Sequence, residues 1–155
     1  MQVQDLMSEP VITCRPDDTL KEAARLMWER ACGVLVVVDD AGSLVGVITD
    51  RDIAMGALHQ DRLLAEIAVD DIMEGASLLT CRTDDDVNTV LGLMIANKVR
   101  RVPVVDEGRV VVGLLSVDDV AAVAQRSQDG APDVDAAAVA ALLSTTVHPS
   151  ASPPR

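Results

Sequence analysis

Thr13-Cys14-Arg15-Pro16-Asp17-Asp18 (TCRPDD) returns at residues 80–85 as Thr80-Cys81-Arg82-Thr83-Asp84-Asp85 (TCRTDD). The same shift of 67 residues, 13 onto 80, aligns much more of the chain. It lays Leu26-Met27 on Leu93-Met94, Val37-Val38-Asp39 on Val104-Val105-Asp106, Gly46 on Gly113 and Asp52 on Asp119. Val, Leu and Ile exchange freely at many positions between. Upstream, with a slip of one residue, Asp5-Leu6-Met7 falls on Asp71-Ile72-Met73. Composition alone reproduces letters but not their order, so the chain is a tandem duplication.

Each copy carries the same succession of periodicities. PVITC and SLLTC are short apolar strand candidates, and Asp17-Asp18 and Asp84-Asp85 offer capping carboxylates at the helix starts that follow. Leu20, Ala23, Ala24, Met27 and Ala31, or Val87, Val90, Leu91 and Met94, then recur at helical spacing on one face. Two β-rich runs joined by a tight turn come next: VLVVVD and LVGVIT around Asp40-Ala41-Gly42, then VPVVD and VVVGLL around Glu107-Gly108. A helix, DRDIAMGAL or VDDVAAVAQR, closes each copy. The expected fold is α+β: two tandem β-α-β-β-α repeats packed through their sheets, because about 55 residues bury too little surface to stand alone. The first repeat is placed at 3–59, a linker (QDRLLAEIA) at 60–68 and the second repeat at 69–126. An Ala/Ser/Pro-rich, partly disordered tail follows at 127–155, with DVDAAAVAALL able to form a short helix before STTVHPSASPPR.

The bulk numbers exclude several classes. A net charge of −12 across 155 residues argues against a general nucleic-acid binder, which needs a basic face. One Trp, no Tyr and no Phe remove the stacking platform used for single strands. No apolar run approaches the roughly 18 residues of a membrane span, and no basic-then-apolar segment opens the chain, so a cytoplasmic location is expected. Cys14, Cys32 and Cys81 form no C-x-x-C pair and read as small buried hydrophobes. His59 and His148 lack partners at catalytic spacing, and no hydroxyl–His–acid set, P-loop or metal signature is present. Trp28, beside Met27 on the amphipathic helix, reads as a core or interface residue.

The strongest functional signal lies where each hairpin ends. GVITDRD supplies Gly46, Thr49 and Asp52, and GLLSVDD supplies Gly113, Ser116 and Asp119. A hydroxyl where a strand meets a helix, with an acid three residues on, makes a capping box.

The tandem arrangement, with PVVD and the Gly-apolar-apolar-Thr/Ser-x-x-Asp pattern in both copies, resembles a pair of CBS domains over roughly residues 3–126. The resemblance implies two related clefts between the repeats that take AMP, ADP, ATP, S-adenosylmethionine or NAD. It implies that Asp52 and Asp119 hold ribose hydroxyls and that Thr49 and Ser116 meet the first phosphate. It places adenine against Val11-Ile12-Thr13 and Leu78-Leu79-Thr80 with Val34 to Val36. Lys98, Arg100 and Arg101 resemble the basic residues that contact phosphates in such modules. Their counterparts in the first copy are Ala31, Gly33 and Val34, so one good site is expected, Thr49/Asp52 completed by the basic residues of the other repeat. Arg51 and Asp118, beside the two aspartates, add to the difference. The ligand-binding set is therefore Thr13, Val36, Thr49, Asp52, Thr80, Lys98, Arg100, Arg101, Ser116 and Asp119.

The resemblance implies a non-catalytic regulatory module with no required cofactor, no metal, no nucleic acid and no membrane. Its output would pass through a homodimer, burying faces that include Met27, Trp28 and Met94, or through an unidentified protein partner. The rival reading is a CBS-fold interaction protein with no nucleotide ligand, its motif residues acting only as caps.

Overall fold

The computed structural model describes residues 1–73, 78–126 and 134–144. The first repeat runs β1 (Thr13–Cys14), α1 (Leu20–Glu29), β2 (Val34–Val38), β3 (Leu44–Thr49) and α2 (Asp50–Gln60), in the order read from periodicity. The second contributes α3 (Val87–Asn97), β4 (Arg101–Val105), β5 (Val111–Ser116) and α4 (Val117–Arg126). The Ala-rich stretch beyond it forms α5 (Ala136–Ser144). Residues from 145 onward, His148 among them, lie outside the described residues. The class is α+β.

In the first repeat β1 pairs parallel to β2, and β2 antiparallel to β3, with Thr13 opposite Val36 and Val34 opposite Thr49. The strand expected in SLLTC is reduced, among the described residues, to one parallel bridge between Cys81 and Val104. That bridge repeats the Cys14–Val37 pairing of β1. The cause is a single residue. Val36 N–H donates to the Ile12 carbonyl at 3.2 Å, and the position matching Val36 is Pro103, which has no N–H to extend the ladder.

The helix caps also differ from expectation. Thr19, not Asp17 or Asp18, caps α1, forming a capping box with Glu22. Asp86, not Asp84 or Asp85, caps α3, its Oδ1 accepting from Thr89 N–H at 3.1 Å. Asp18 and Asp85 have another use. Their carboxylates each accept from the backbone N–H of Arg15 and Arg82, both at 2.8 Å. The repeated TCRxDD phrase is thus a closed turn that carries the chain from strand to helix.

The chain divides into two compact units that do not coincide with the two sequence repeats. One contains residues 10–78 with 105–112, and the other 1–9, 79–104 and 113–155. The reason is a reciprocal hydrogen-bond pattern inside each unit. Val69 N–H donates to the Asp18 carbonyl (2.8 Å), Asp70 N–H to Pro16 (2.9 Å) and Leu20 N–H to Ile67 (2.9 Å). In the other unit Val3 N–H donates to Asp85 (3.0 Å), Gln4 N–H to Thr83 (2.9 Å) and Val87 N–H to Met1 (3.0 Å). The segment preceding each repeat therefore buttresses the helix start of the other. Val3 and Val69 are both fully buried. Met73 lies over Gly46 and Met7 over Gly113, at positions where a Cβ would collide with the methionine side chain.

In the first unit Leu20, Ala23, Met27, Leu35, Val37, Ile48, Ile53 and Ile67 form the core. In the second, Val87, Val90, Leu91, Met94, Val104, Leu115 and Val120 are buried. There α5 packs on α3 and α4, burying Val139 and Leu142. Its first turn is held by Asp135, whose N–H donates to Asn88 Oδ1 at 2.8 Å and whose carboxylate accepts from Ala137 N–H at 2.9 Å.

Candidate functional site

Thr49 ends β3 and caps α2 because its hydroxyl, at an extended backbone position, reaches the next turn. Asp52 N–H donates to Thr49 Oγ1 at 3.2 Å. Thr49 N–H and Oγ1–H donate to Asp52 Oδ2 at 2.8 and 2.7 Å. All three bonds leave Oδ1 of Asp52 outside the box, on an exposed residue at the positive end of an eleven-residue helix. Thr13 faces solvent on β1, opposite Val36, whose side chain is wholly buried.

The second copy builds the same device from Ser116 and Asp119. Ser116 N–H donates to Asp119 Oδ2 at 3.0 Å, Ser116 Oγ–H donates to the same oxygen, and Asp119 N–H returns to Ser116 Oγ at 3.2 Å. Here the second carboxylate oxygen is engaged as well: Ser8 Oγ–H donates to Asp119 Oδ1 at 3.1 Å. Ser116 is buried and Asp119 half-buried. The two aspartates therefore differ in what they can still accept, a distinction set by Ser8 that the motif does not contain.

Arg100 and Arg101 come together on Asp118. Arg100 Nη2 lies 3.3 Å from its Oδ1 and Arg101 Nη2 3.8 Å from its Oδ2. The Nε of Arg100 is buried and has no hydrogen-bond partner among the described residues. Lys98 stands apart as the exposed C-cap of α3, in the left-handed region at φ +55°. Its counterpart Ala31 also lies there, at φ +50°. Thr80 is half-buried beside the Cys81 bridge. Where the second copy has Arg100, the first has Gly33, with Asp50 Oδ2 3.2 Å from where its Cβ would stand.

Met94 is fully buried inside its unit, and Met27, almost fully buried, lies on the floor of the cavity that Trp28 borders. Trp28 is 87% exposed, which removes the core reading of that residue. It borders a cavity of about 590 Å³ over α1 and the start of α2. Burial pushes the thiols of Cys14 and Cys81 up to about 12, with Asp18 and Asp85 adding to the effect. Among the described residues no group of three or more His, Cys, Asp or Glu side chains could hold a metal ion. No helix there is long and apolar enough to cross a membrane.

The CBS domain signature matches residues 3–58 and 69–126, and the chain belongs to that family. The CBS domain-containing protein YhcV of Bacillus subtilis is 34% identical over 129 residues, 83% of this chain and 89% of that protein. Inosine-5'-monophosphate dehydrogenase of Mycobacterium tuberculosis is 38% identical over 114 residues, 74% of this chain. The chain spans about a fifth of that enzyme's length, 20%. The CBS domain pair of protein MJ0100, solved in complex with 5'-methylthioadenosine and S-adenosyl-L-methionine, is 32% identical. It covers 83% of this chain and 98% of its own, at a TM-score of 0.73.

Proposed function

We propose that the protein is a non-catalytic regulatory module that binds an adenosine-containing ligand at the capped helix starts and signals through its dimer or protein-partner contacts. The observation that carries this reading is Asp52, whose Oδ1 stands outside the capping box at a helix N-terminus. That arrangement is a ready acceptor for a ribose hydroxyl, with the helix end favouring the neighbouring phosphate or sulfonium-linked carboxylate. Support comes from the MJ0100 pair, which holds two adenosyl compounds. Asp119 is the weaker acceptor because Ser8 already occupies its Oδ1. Arg100 and Arg101 exchange Asp118 for a ligand phosphate when the ligand carries one.

The completeness of both capping boxes favours a second reading, a CBS scaffold without a nucleotide. Thermal unfolding separates the two. AMP, ADP, ATP, S-adenosylmethionine and NAD are each added at millimolar concentration. A ligand at 100 times its dissociation constant raises stability by about 2.7 kcal/mol, roughly 5–10 °C for a chain of this size. Asp52→Ala costs about 1 kcal/mol as a lost cap under either reading. Only the ligand reading also predicts that the added stabilisation disappears in that variant. No rise with any of the five compounds leaves the scaffold reading standing.

A further inference from the structure

The two aspartates that follow the hairpins sit in the same capping device but keep different numbers of acceptor positions free. A carboxylate has about four lone-pair positions, and a cis-diol needs two of them. Thr49 N–H and Oγ1–H both donate to Oδ2 of Asp52, and among the described residues nothing donates to its Oδ1. Asp52 is exposed and borders a cavity of about 370 Å³, lined by one face of α2 and by Asp71 and Ile72. Both hydroxyls of a diol can therefore be served at Asp52. Asp119 is fuller. Ser116 N–H and Oγ–H take its Oδ2, and Ser8 Oγ–H takes a position on Oδ1 at 3.1 Å. Too few positions remain there for a diol.

The place of Ser8 is built into the fold of its unit, which contains residues 1–9 together with 113–155. Ser8 N–H donates to the Leu114 carbonyl at 2.9 Å, and the Ser8 carbonyl accepts from Leu114 N–H at 3.1 Å. This antiparallel bridge seats Ser8 on β5, two residues before the Ser116 cap. The preceding residue, Met7, packs over Gly113, where a Cβ would collide with it. Backbone bonds and a packed neighbour thus hold the Ser8 hydroxyl at the start of α4. To free the Oδ1 position, that hydroxyl must give up a bond to a charged acceptor, a loss that corresponds to roughly a tenfold to hundredfold drop in affinity.

We infer that Ser8 is the residue that restricts ligand binding to one helix start. Its hydroxyl keeps Asp119 from taking a ribose diol and leaves Asp52 as the site. The inference rests on the adenosyl reading proposed above and gives it a stoichiometry of one ligand per chain. Ser8→Ala removes the hydroxyl but keeps the backbone bridge, so Asp119 gains the two free positions that Asp52 already has. Ser8 is exposed, and its truncation leaves the core untouched.

The test is isothermal titration of the full-length protein with S-adenosyl-L-methionine and, separately, with AMP. The parent protein is expected to bind one equivalent of whichever compound it accepts. Ser8→Ala should bind two, the second within about tenfold of the first, whereas Ser8→Thr, which keeps the donor, should bind one. Asp52→Ala should lose the parental site, and Asp52→Ala/Ser8→Ala should recover one equivalent, a gain that no defect in folding can imitate. Two equivalents of similar affinity in the parent, or one equivalent in both the parent and Ser8→Ala, overturns the inference and leaves the adenosyl reading intact. Undiminished binding in Asp52→Ala also overturns it, for then Asp119 is the site. Failure of both compounds to bind the parent and every variant overturns the adenosyl reading and the inference with it.

Discussion

Cysteine at the end of TCRxDD's first strand position is a small apolar plug whose acidity is governed by burial. Cys14 and Cys81 expose 5% and 3% of their surface, and the cost of burying a thiolate, with a nearby aspartate, holds both near pKa 12. Cys32 is half-buried at the rim of the cavity beside Trp28. At pH 8 a water-soluble thiol reagent is expected to modify Cys32 alone in the native protein and all three cysteines in urea; rapid native labelling at residue 14 or 81 would refute the burial argument. The linkage sign follows. An unfolded thiol titrates at about 8.5, below the folded value, so the folded state keeps its protons longer. This contribution is fully present below pH 8.5 and is lost as pH rises toward 12. Urea midpoints compared at pH 8 and pH 10.5 should fall less in Cys14→Ala/Cys81→Ala than in the parent protein.

Among the elements, the helix ends and strand glycines carry the sharpest consequences. Ala31 follows the C-terminus of α1 at φ +50°, where a Cβ is unfavourable and glycine is the usual occupant. Ala31→Gly is expected to stabilise the protein by about 0.5–1 kcal/mol, read as a higher urea midpoint with unchanged slope. Gly46 has the opposite character, for its missing Cβ makes room for Met73 on β3. Gly46→Ala should cost about 1–3 kcal/mol through overpacking. Met73→Ala in the same chain should recover part of that loss, since the clash lies on the methionine's flexible end. A pair of strictly additive effects would show that the collision is not the cause.

At the scale of the whole molecule, the reciprocal buttressing makes the order of sequence a poor guide to the order of packing. Residues 1–9 belong to the unit of the second repeat. Val3 is fully buried there, and the backbone of Met1, Val3 and Gln4 bonds to Val87, Asp85 and Thr83. Val3→Ala should therefore cost about 2 kcal/mol. Hydrogen exchange should place the effect. Amides of α3 around Val90 lose protection, whereas those of β2 around Leu35 keep theirs. An equal loss in β2 would mean that the N-terminal segment does not act locally on its unit.

Sequence alone determined the duplication, the kind and order of the elements, and the hydroxyl–acid pairs at Thr49/Asp52 and Ser116/Asp119. These are decided within a turn or two of chain, where periodicity, capping and turn chemistry operate on near neighbours. The identity of the α1 and α3 caps was misjudged because several acids and hydroxyls stood in reach, and backbone geometry chose Thr19 and Asp86 over the aspartates beside them. The reduction of the second copy's first strand to one bridge among the described residues was written in Pro103, legible once the register named Val36 as its counterpart. Other features needed the tertiary structure: Ser8 on Asp119, Asp118 between Arg100 and Arg101, Met7 and Met73 over the two glycines, and α5 covering one helix pair while Trp28 stays in water. Each of these joins groups far apart along the chain, or hangs on which surface a distant segment reaches, and no local pattern encodes that choice.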